Sequence, residues 1–238
     1  MSGEPETTPS GGREGKRATA PVTRITLVRH GETDWNRQRR IQGSTDIPLN
    51  DAGVAQAAVA AHALADAGYT AVYASALSRA LQTAAIIADA AGLGAPVGEP
   101  ELNERAFGEA EGLTNQEILG RFPDDVVPGR ETREHVVRRA LPVLESLAVQ
   151  HAGESVLVVT HGAVIGSLIR HLTNGERPRQ GELISNLSLS HLWHDGGRLR
   201  LEEFNLPATA AQAEAFAVPA DSTSVSAPSS ADAEPAQV

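Results

Sequence analysis

The chain has 238 residues, 41% hydrophobic but only 3% aromatic, and carries −10 from 20 basic and 30 acidic residues with histidine neutral. That length suits one domain with a sizeable core built mainly of Ala, Val, Leu and Ile, and the acidic balance disfavours nucleic acid and anionic membrane as partners. Lys16 is the sole lysine and lies in no glycine-rich loop, which argues against a Walker-type nucleotide site and Schiff-base chemistry, and zero cysteines exclude disulfides and thiolate metal sites.

Residues 1–20 are rich in Gly, Pro, Ser, Thr and Glu without apolar periodicity and read as a disordered leader. They hold no apolar segment fit for a secretory signal, and no apolar run in the chain approaches a membrane span, so a cytoplasmic protein is expected. Arg24–Arg29 reads as a buried strand, followed by an apolar helical pattern over 51–67, a second strand at Ala71–Ala74 and a helix over 76–90. Thr114 and Glu117 form a capping box that opens a helix to Arg121. A longer helix is expected over 132–150, with a kink at Pro142. Ser155–Thr160 is a third strand, followed by a helix over 163–172. Leu187–Trp193 and Arg198–Phe204 flank Asp195-Gly196-Gly197 as a hairpin. Residues 207–238 read as a disordered acidic tail, whose four acids leave about −6 on a single domain over 21–206. Strands alternating with helices predict an α/β fold with a mainly parallel sheet.

Two of the strands end in a histidine followed by glycine: Leu27-Val28-Arg29-His30-Gly31 and Val158-Val159-Thr160-His161-Gly162. Ligands of parallel α/β sheets bind beyond the carboxyl ends of strands, so neighbouring strands would bring both histidines to one edge. A lone strand-end histidine is more often structural, and an Arg-His-Gly tripeptide is weak by itself; the paired placement is the sharper signal. Histidines and carboxylates do not recur at metal-ligand spacing, so no metal or other cofactor is expected.

The wider pattern resembles the histidine phosphatase superfamily, the phosphoglycerate mutase-like fold. The blocks are LVRHGETDWN at 27–36, IQGSTDIPLNDAGVAQA at 41–57, YASALSRALQTA around Arg79, ELNERAFGEAEG around Glu104 and VVTHGAVI around His161. The resemblance implies a three-layer α/β/α domain that acts on a small-molecule phosphomonoester without a metal. It implies His30 as the nucleophile, its second ring nitrogen donating to a backbone carbonyl, and Arg29 and Arg79 as bidentate holders of the phosphoryl oxygens. It makes His161, protonated or hydrogen-bonding, a stabiliser of the transferred group, and Glu104 the acid for the leaving oxygen and then the base for water. Asn36, Gln42 and Gly43 match positions that contact phosphate in relatives, although the two amides could equally structure the loop. The nearby acids Glu99, Glu101, Glu109 and Glu111 are alternatives to Glu104 on sequence alone, and Arg37, Arg39 and Arg40 read better as a solvated loop face than as a second anion site. A homodimer is left open by the resemblance.

Mutases of this family carry a tyrosine near the acid, an inserted segment with paired arginines, and an asparagine after the second His-Gly. Here Phe107 takes the tyrosine position, Arg121 and Arg130 are not adjacent in a short 112–132 connection, and Ala163 follows Gly162. These departures favour a phosphatase over a mutase-type phosphoryl transferase, with an inactive phospholigand-binding member as a third reading.

Overall fold

Ser155–Thr160 (β4) is buried at all six positions, and its Val/Leu run explains why: it lies in mid-sheet with helices on both faces. The computed structural model describes residues 21–209, so the leader expected at 1–20 and the tail beyond 209 lie outside the described residues. Thr23–Arg29 (β1) and Ala71–Ser75 (β2) flank β4, both parallel to it. Val97–Glu99 (β3) extends the parallel side beyond β2. On the other side, Ser188–His194 (β5) runs antiparallel to β1, and Leu199–Pro207 (β6) returns antiparallel to β5. The order is β3-β2-β4-β1-β5-β6, so β5 alone runs against the rest.

Alternation along the strands splits the core into two layers. Ile25, Leu27, Val156 and Val158 face Arg133–Gln150 (α5) and Gly162–Leu172 (α6), where Val136, Leu144, Ile165 and Leu168 are fully buried. Val28, Leu157 and Val159 face Asp51–Leu64 (α2) and Ser78–Ala90 (α3), which pack through Ala60, Ala61, Ala80 and Ala84. The expected three-layer α/β/α architecture with a mainly parallel sheet is the one observed.

The departures are local. The second helix stops at Leu64, not 67, and Thr114 and Thr132 act as caps, so Asn115–Arg121 and α5 each start one residue later than expected. The four-residue helix Asp34–Arg37 (α1), the three-residue edge strand β3 and the 3-10 turns Pro100–Leu102 and Gly108–Ala110 have no counterpart among the expected elements, all being too short for periodicity to register. With α1 and β3 in place, Asn115–Arg121 becomes α4 in chain order. Pro142 lies inside α5, which runs through it as one helix although its ring nitrogen cannot donate to the preceding turn. The last strand reaches Pro207, one residue past the expected boundary of the domain.

Candidate active site

The register of β1 on β4 pairs Arg29 with Thr160, and the backbone N–H of His30 donates to the Thr160 carbonyl at 3.0 Å. The two histidines therefore leave adjacent strand ends together, with ring centroids 5.1 Å apart and planes tilted by 59°. Both are buried. The Nδ1 of His30 lies 2.7 Å from the Gly31 carbonyl, which can only accept, so Nδ1 carries the proton and Nε2 keeps its lone pair. Burial first, then the charges of Arg29 and Arg79, hold this imidazole well below its usual pKa and hence neutral. Asn186, on the approach to β5, donates to the His30 carbonyl at 2.7 Å; no periodic or motif signal points to it.

The backbone of Gly31 is not in the left-handed region. What it permits is contact: a Cβ at 31 would stand 2.6 Å from the Gly53 carbonyl, and one at Gly53 would stand 2.0 Å from the Glu32 carbonyl. The start of α2 thus packs backbone to backbone against the residues after His30.

Arg79, in the first turn of α3, is fully buried. Its Nη2 donates to the Gly43 carbonyl and its Nη1 to the Thr45 carbonyl, both at 2.9 Å, and Nε lies 3.3 Å from His161 Nδ1. The same loop returns the contact, since Leu77 offers no side-chain cap and Asp46 instead accepts from Ser78 N and Oγ at 2.9 and 2.7 Å. Gly43 makes the turn at φ +57, where a side chain would also strike Glu111. Each Nη of Arg79 retains one N–H for a ligand. Arg29 donates from Nη1 to the Ile184 carbonyl, while its buried Nε has no partner among the described residues. Desolvation lowers the pKa of both guanidiniums, opposed by Glu104, without displacing them from the charged form at any working pH.

His161 was expected as a protonated or hydrogen-bonding group, and the first option does not fit. Its Nδ1 accepts from Arg79, and its Nε2 donates to Ser75 Oγ at 2.7 Å, which passes the bond on to Asn103 Oδ1 at 2.9 Å. Burial, His30 and the two arginines hold its pKa well below the usual imidazole value. It faces the site as a neutral ring. Asn103 also accepts from Ala76 N at 2.9 Å and so ties the end of β2 to the segment bearing Glu104. Ser75 and Asn103 were not singled out from sequence, although both stand inside the quoted blocks.

Glu104 is half-buried, accepting from Arg105 N at 2.9 Å and, through its other oxygen, from Ala163 N at 3.4 Å. Burial raises its pKa above the usual carboxylate range, against the opposing pull of those N–H groups and both arginines. The competing acids are otherwise engaged or remote. Glu109 pairs with Arg121 at 2.6 Å, and Glu111 accepts from Ser44, Thr45 and Phe107 N. Burial would raise Glu111, but these hydrogen bonds outweigh it and keep the residue ionised. Glu99 and Glu101 line a surface cleft beside α5.

The amides have mixed roles. Asn36 is the capping-box residue of α1, its Oδ1 accepting from Thr33 N at 3.2 Å, and Gln42 Oε1 accepts from Thr33 Oγ1 at 2.9 Å. Each thereby structures the loop, and each leaves its NH₂ group without a partner among the described residues. Arg37 pairs with Asp34, and Arg40 donates to the Gly112 carbonyl and Glu117, which fits the loop-face reading. Among the described residues no group of three or more His, Asp or Glu side chains is placed to hold a metal.

Comparison with known proteins places this arrangement. The family model described as histidine phosphatase superfamily (branch 1) matches residues 25–207. An uncharacterized phosphatase, PhoE, of Bacillus subtilis is 36% identical over 186 residues, covering 78% of this chain and 95% of its own. Phosphoglycerate mutase-like protein 4 of Arabidopsis thaliana is 35% identical over 191 residues, covering 75% and 83%. Among solved structures, a mycobacterial glucosyl-3-phosphoglycerate phosphatase in complex with VO3 superposes with a TM-score of 0.69 at 28% identity, covering 77% of this chain and 98% of its own. This chain belongs to branch 1 of the histidine phosphatase superfamily.

Proposed function

We propose that the protein is a metal-independent phosphomonoesterase that hydrolyses a small phosphorylated metabolite through a phosphohistidine on His30. The observation that carries this reading is the tautomer of His30: the Gly31 carbonyl holds the proton on Nδ1, leaving a neutral Nε2 beside the buried Arg79 and the half-buried Arg29. Nucleophilic attack needs that lone pair, and a phosphoryl group needs cationic donors around its oxygens.

In the first half-reaction, Nε2 attacks phosphorus while Arg29 and Arg79, through their remaining Nη hydrogens, hold the equatorial oxygens. The amide NH₂ groups of Asn36 and Gln42 would add neutral donors. His161, neutral and fixed by Ser75, keeps Arg79 aligned and lines the cradle. Glu104, whose pKa burial raises, gives its proton to the leaving oxygen. The P–O ester bond breaks as the P–N bond forms, and the product alcohol departs. In the second half-reaction ionised Glu104 takes a proton from water, the oxygen attacks phosphorus, and inorganic phosphate leaves with His30 and Glu104 restored.

Phosphatase names among the relatives support hydrolysis, and the residues that mutases use do not recur here. Phe107 supplies no hydroxyl, and Arg121 and Arg130 are each engaged in an ion pair, with Glu109 and Asp125. An acidic, cysteine-free enzyme acting on metabolites suits the cytoplasm. The test is hydrolysis of p-nitrophenyl phosphate with excess EDTA. Wild-type protein should turn over and His30→Ala should not; turnover lost on chelation, or retained in His30→Ala, would overturn the reading.

A further inference from the structure

The carbonyl that sets the His30 tautomer belongs to the Gly31–Glu32 peptide, and the peptides on either side of it are each held at both ends. In the preceding one, the His30 carbonyl accepts from Asn186 at 2.7 Å and Gly31 N donates to Thr83 Oγ1 at 3.1 Å. Thr83 is itself fixed, since its hydroxyl donates to the Arg79 carbonyl at 2.8 Å. In the following one, the Glu32 carbonyl accepts from Asn50 N at 3.0 Å and Thr33 N donates to Asn36 Oδ1 at 3.2 Å. The middle peptide turns its carbonyl to His30 Nδ1 at 2.7 Å, and its N–H donates to Gln56 Oε1 at 3.0 Å. Among the described residues, Gln56 is the one side chain besides the imidazole that holds this peptide.

The local backbone alone does not fix which way that peptide points. Gly31 carries no Cβ, because α2 lies too close for one, and glycine admits the rotation that turns the next peptide over while its neighbours stay in place. In the turned-over state an N–H would face Nδ1, which would then have to accept. The proton would move to Nε2, and the attacking lone pair would be lost. Gln56 opposes that state. An N–H can only donate, so the amide oxygen is the end of Gln56 that meets Glu32 N, and this contact keeps the Gly31 carbonyl aimed at the imidazole. The sequence of α2 explains the placement. Gln56 stands three residues after Gly53 and so on the same face, and the glycine that lets the helix approach residues 31 and 32 also brings this amide to them. Gln56 is half-buried, and Glu32 N is its only side-chain hydrogen-bond partner among the described residues.

Resting on the phosphatase reading, we infer that Gln56 is a positioning residue for the reaction: it clamps the Gly31–Glu32 peptide so that His30 keeps its proton on Nδ1 and its lone pair on Nε2. It acts through the backbone, not by contact with the phosphoryl group. Gln56 stands inside the 41–57 block but has no role legible there, because the N–H it holds lies 24 residues away.

The test is imidazole ¹⁵N NMR of ¹⁵N-histidine-labelled protein at mildly alkaline pH, with His30 assigned by the signals missing from His30→Ala. It is read beside kcat on p-nitrophenyl phosphate and the inhibition constant of inorganic phosphate. Wild-type protein should show a protonated Nδ1 and an unprotonated Nε2. Gln56→Leu keeps much of the bulk, suits a helix and offers no acceptor. In it the His30 signals should move toward the opposite tautomer and kcat should fall roughly tenfold, the scale of leaving one N–H unsatisfied, while phosphate inhibition shifts by less than about twofold because the arginines stay in place. Gln56→Glu, whose carboxylate also accepts, should keep the wild-type tautomer and most of kcat. A wild-type Nε2 that carries the proton would overturn the inference without recourse to any variant. So would a tautomer unchanged in Gln56→Leu whatever its kcat, which would leave Gln56 a merely structural residue, or a tautomer lost alike in Gln56→Leu and Gln56→Glu. A tautomer that depends on Gln56 in a wild-type protein without turnover would overturn the phosphatase reading and leave the clamp standing.

Discussion

At the scale of single residues, the site works by pushing two titrations in opposite directions. The proposed mechanism needs His30 neutral to attack, and burial and two arginines hold it well below its usual value; it needs Glu104 protonated to donate, and burial raises it. The reactive combination therefore survives falling pH on the histidine side and is lost on the alkaline side as Glu104 ionises. Wild-type kcat/KM on an alkyl phosphate should peak at mildly acidic pH, and Glu104→Gln should remove the alkaline limb seen with the same substrate, so that ionisation of the substrate itself cancels. The loss should be about 10²- to 10⁴-fold on the alkyl ester but under about tenfold on p-nitrophenyl phosphate, whose leaving group needs no proton. Comparable losses on both would remove Glu104 from the acid role. The parameter matters because, in the proposed mechanism, kcat/KM reports only steps through phosphohistidine formation, whereas kcat also contains the hydrolysis for which Glu104 would be the base.

At the scale of elements, the site depends on backbone packing as much as on side chains. Gly53 opens α2 directly beneath Glu32, and a methyl group there would overlap the Glu32 carbonyl at 2.0 Å. Gly53→Ala should therefore destabilise the fold by about 3 kcal/mol, the upper part of the usual range for overpacking, and lower turnover by shifting the 30–32 segment. Thermal melts and kcat on p-nitrophenyl phosphate check this, and an unchanged melting temperature would refute the close packing. Much of the fold was legible at this scale. The Val/Leu run of β4, the Thr-x-x-Glu box of α4 and the strand-end His-Gly pairs each predicted their element, because a single local rule governs each. What was not legible depended on distant partners. Asp46 caps a helix that begins at residue 78, Asn186 fixes the carbonyl of His30, and Arg133 reaches Gly166; no window of the sequence places these pairs together. His161 is a subtler case: its position was readable from the motif, but its neutral state follows from Ser75 and Arg79.

At the scale of the whole molecule, buried neutral histidines couple stability to pH. His191, in β5, is 2% exposed and bonded to Thr26, itself bonded to Tyr69, and its pKa is lowered to about 4 by burial and then by Arg24. The unfolded chain binds this proton at its usual 6.5, so the contribution to stability is complete above that value and declines as pH falls toward 4. For His191 alone the loss at pH 5 is about 2 kcal/mol, with His30 and His161 adding losses of the same sign, while Glu104, raised in the folded state, works in the opposite sense. Urea unfolding at pH 7 and pH 5 should show the decline, and His191→Gln should flatten it; an identical slope in the variant would assign the acid sensitivity elsewhere.

The central claim is a covalent phosphoryl group on His30, and it is tested most directly by trapping. Protein mixed with a ³²P-labelled aryl phosphate and quenched within the first turnover in alkaline denaturant, where phosphohistidine survives, should carry label on the peptide containing His30. The label should persist longer in Glu104→Gln, where water lacks its base, and be absent in His30→Ala. Label on a different residue, or undiminished turnover by His30→Ala without any label, would contradict the mechanism.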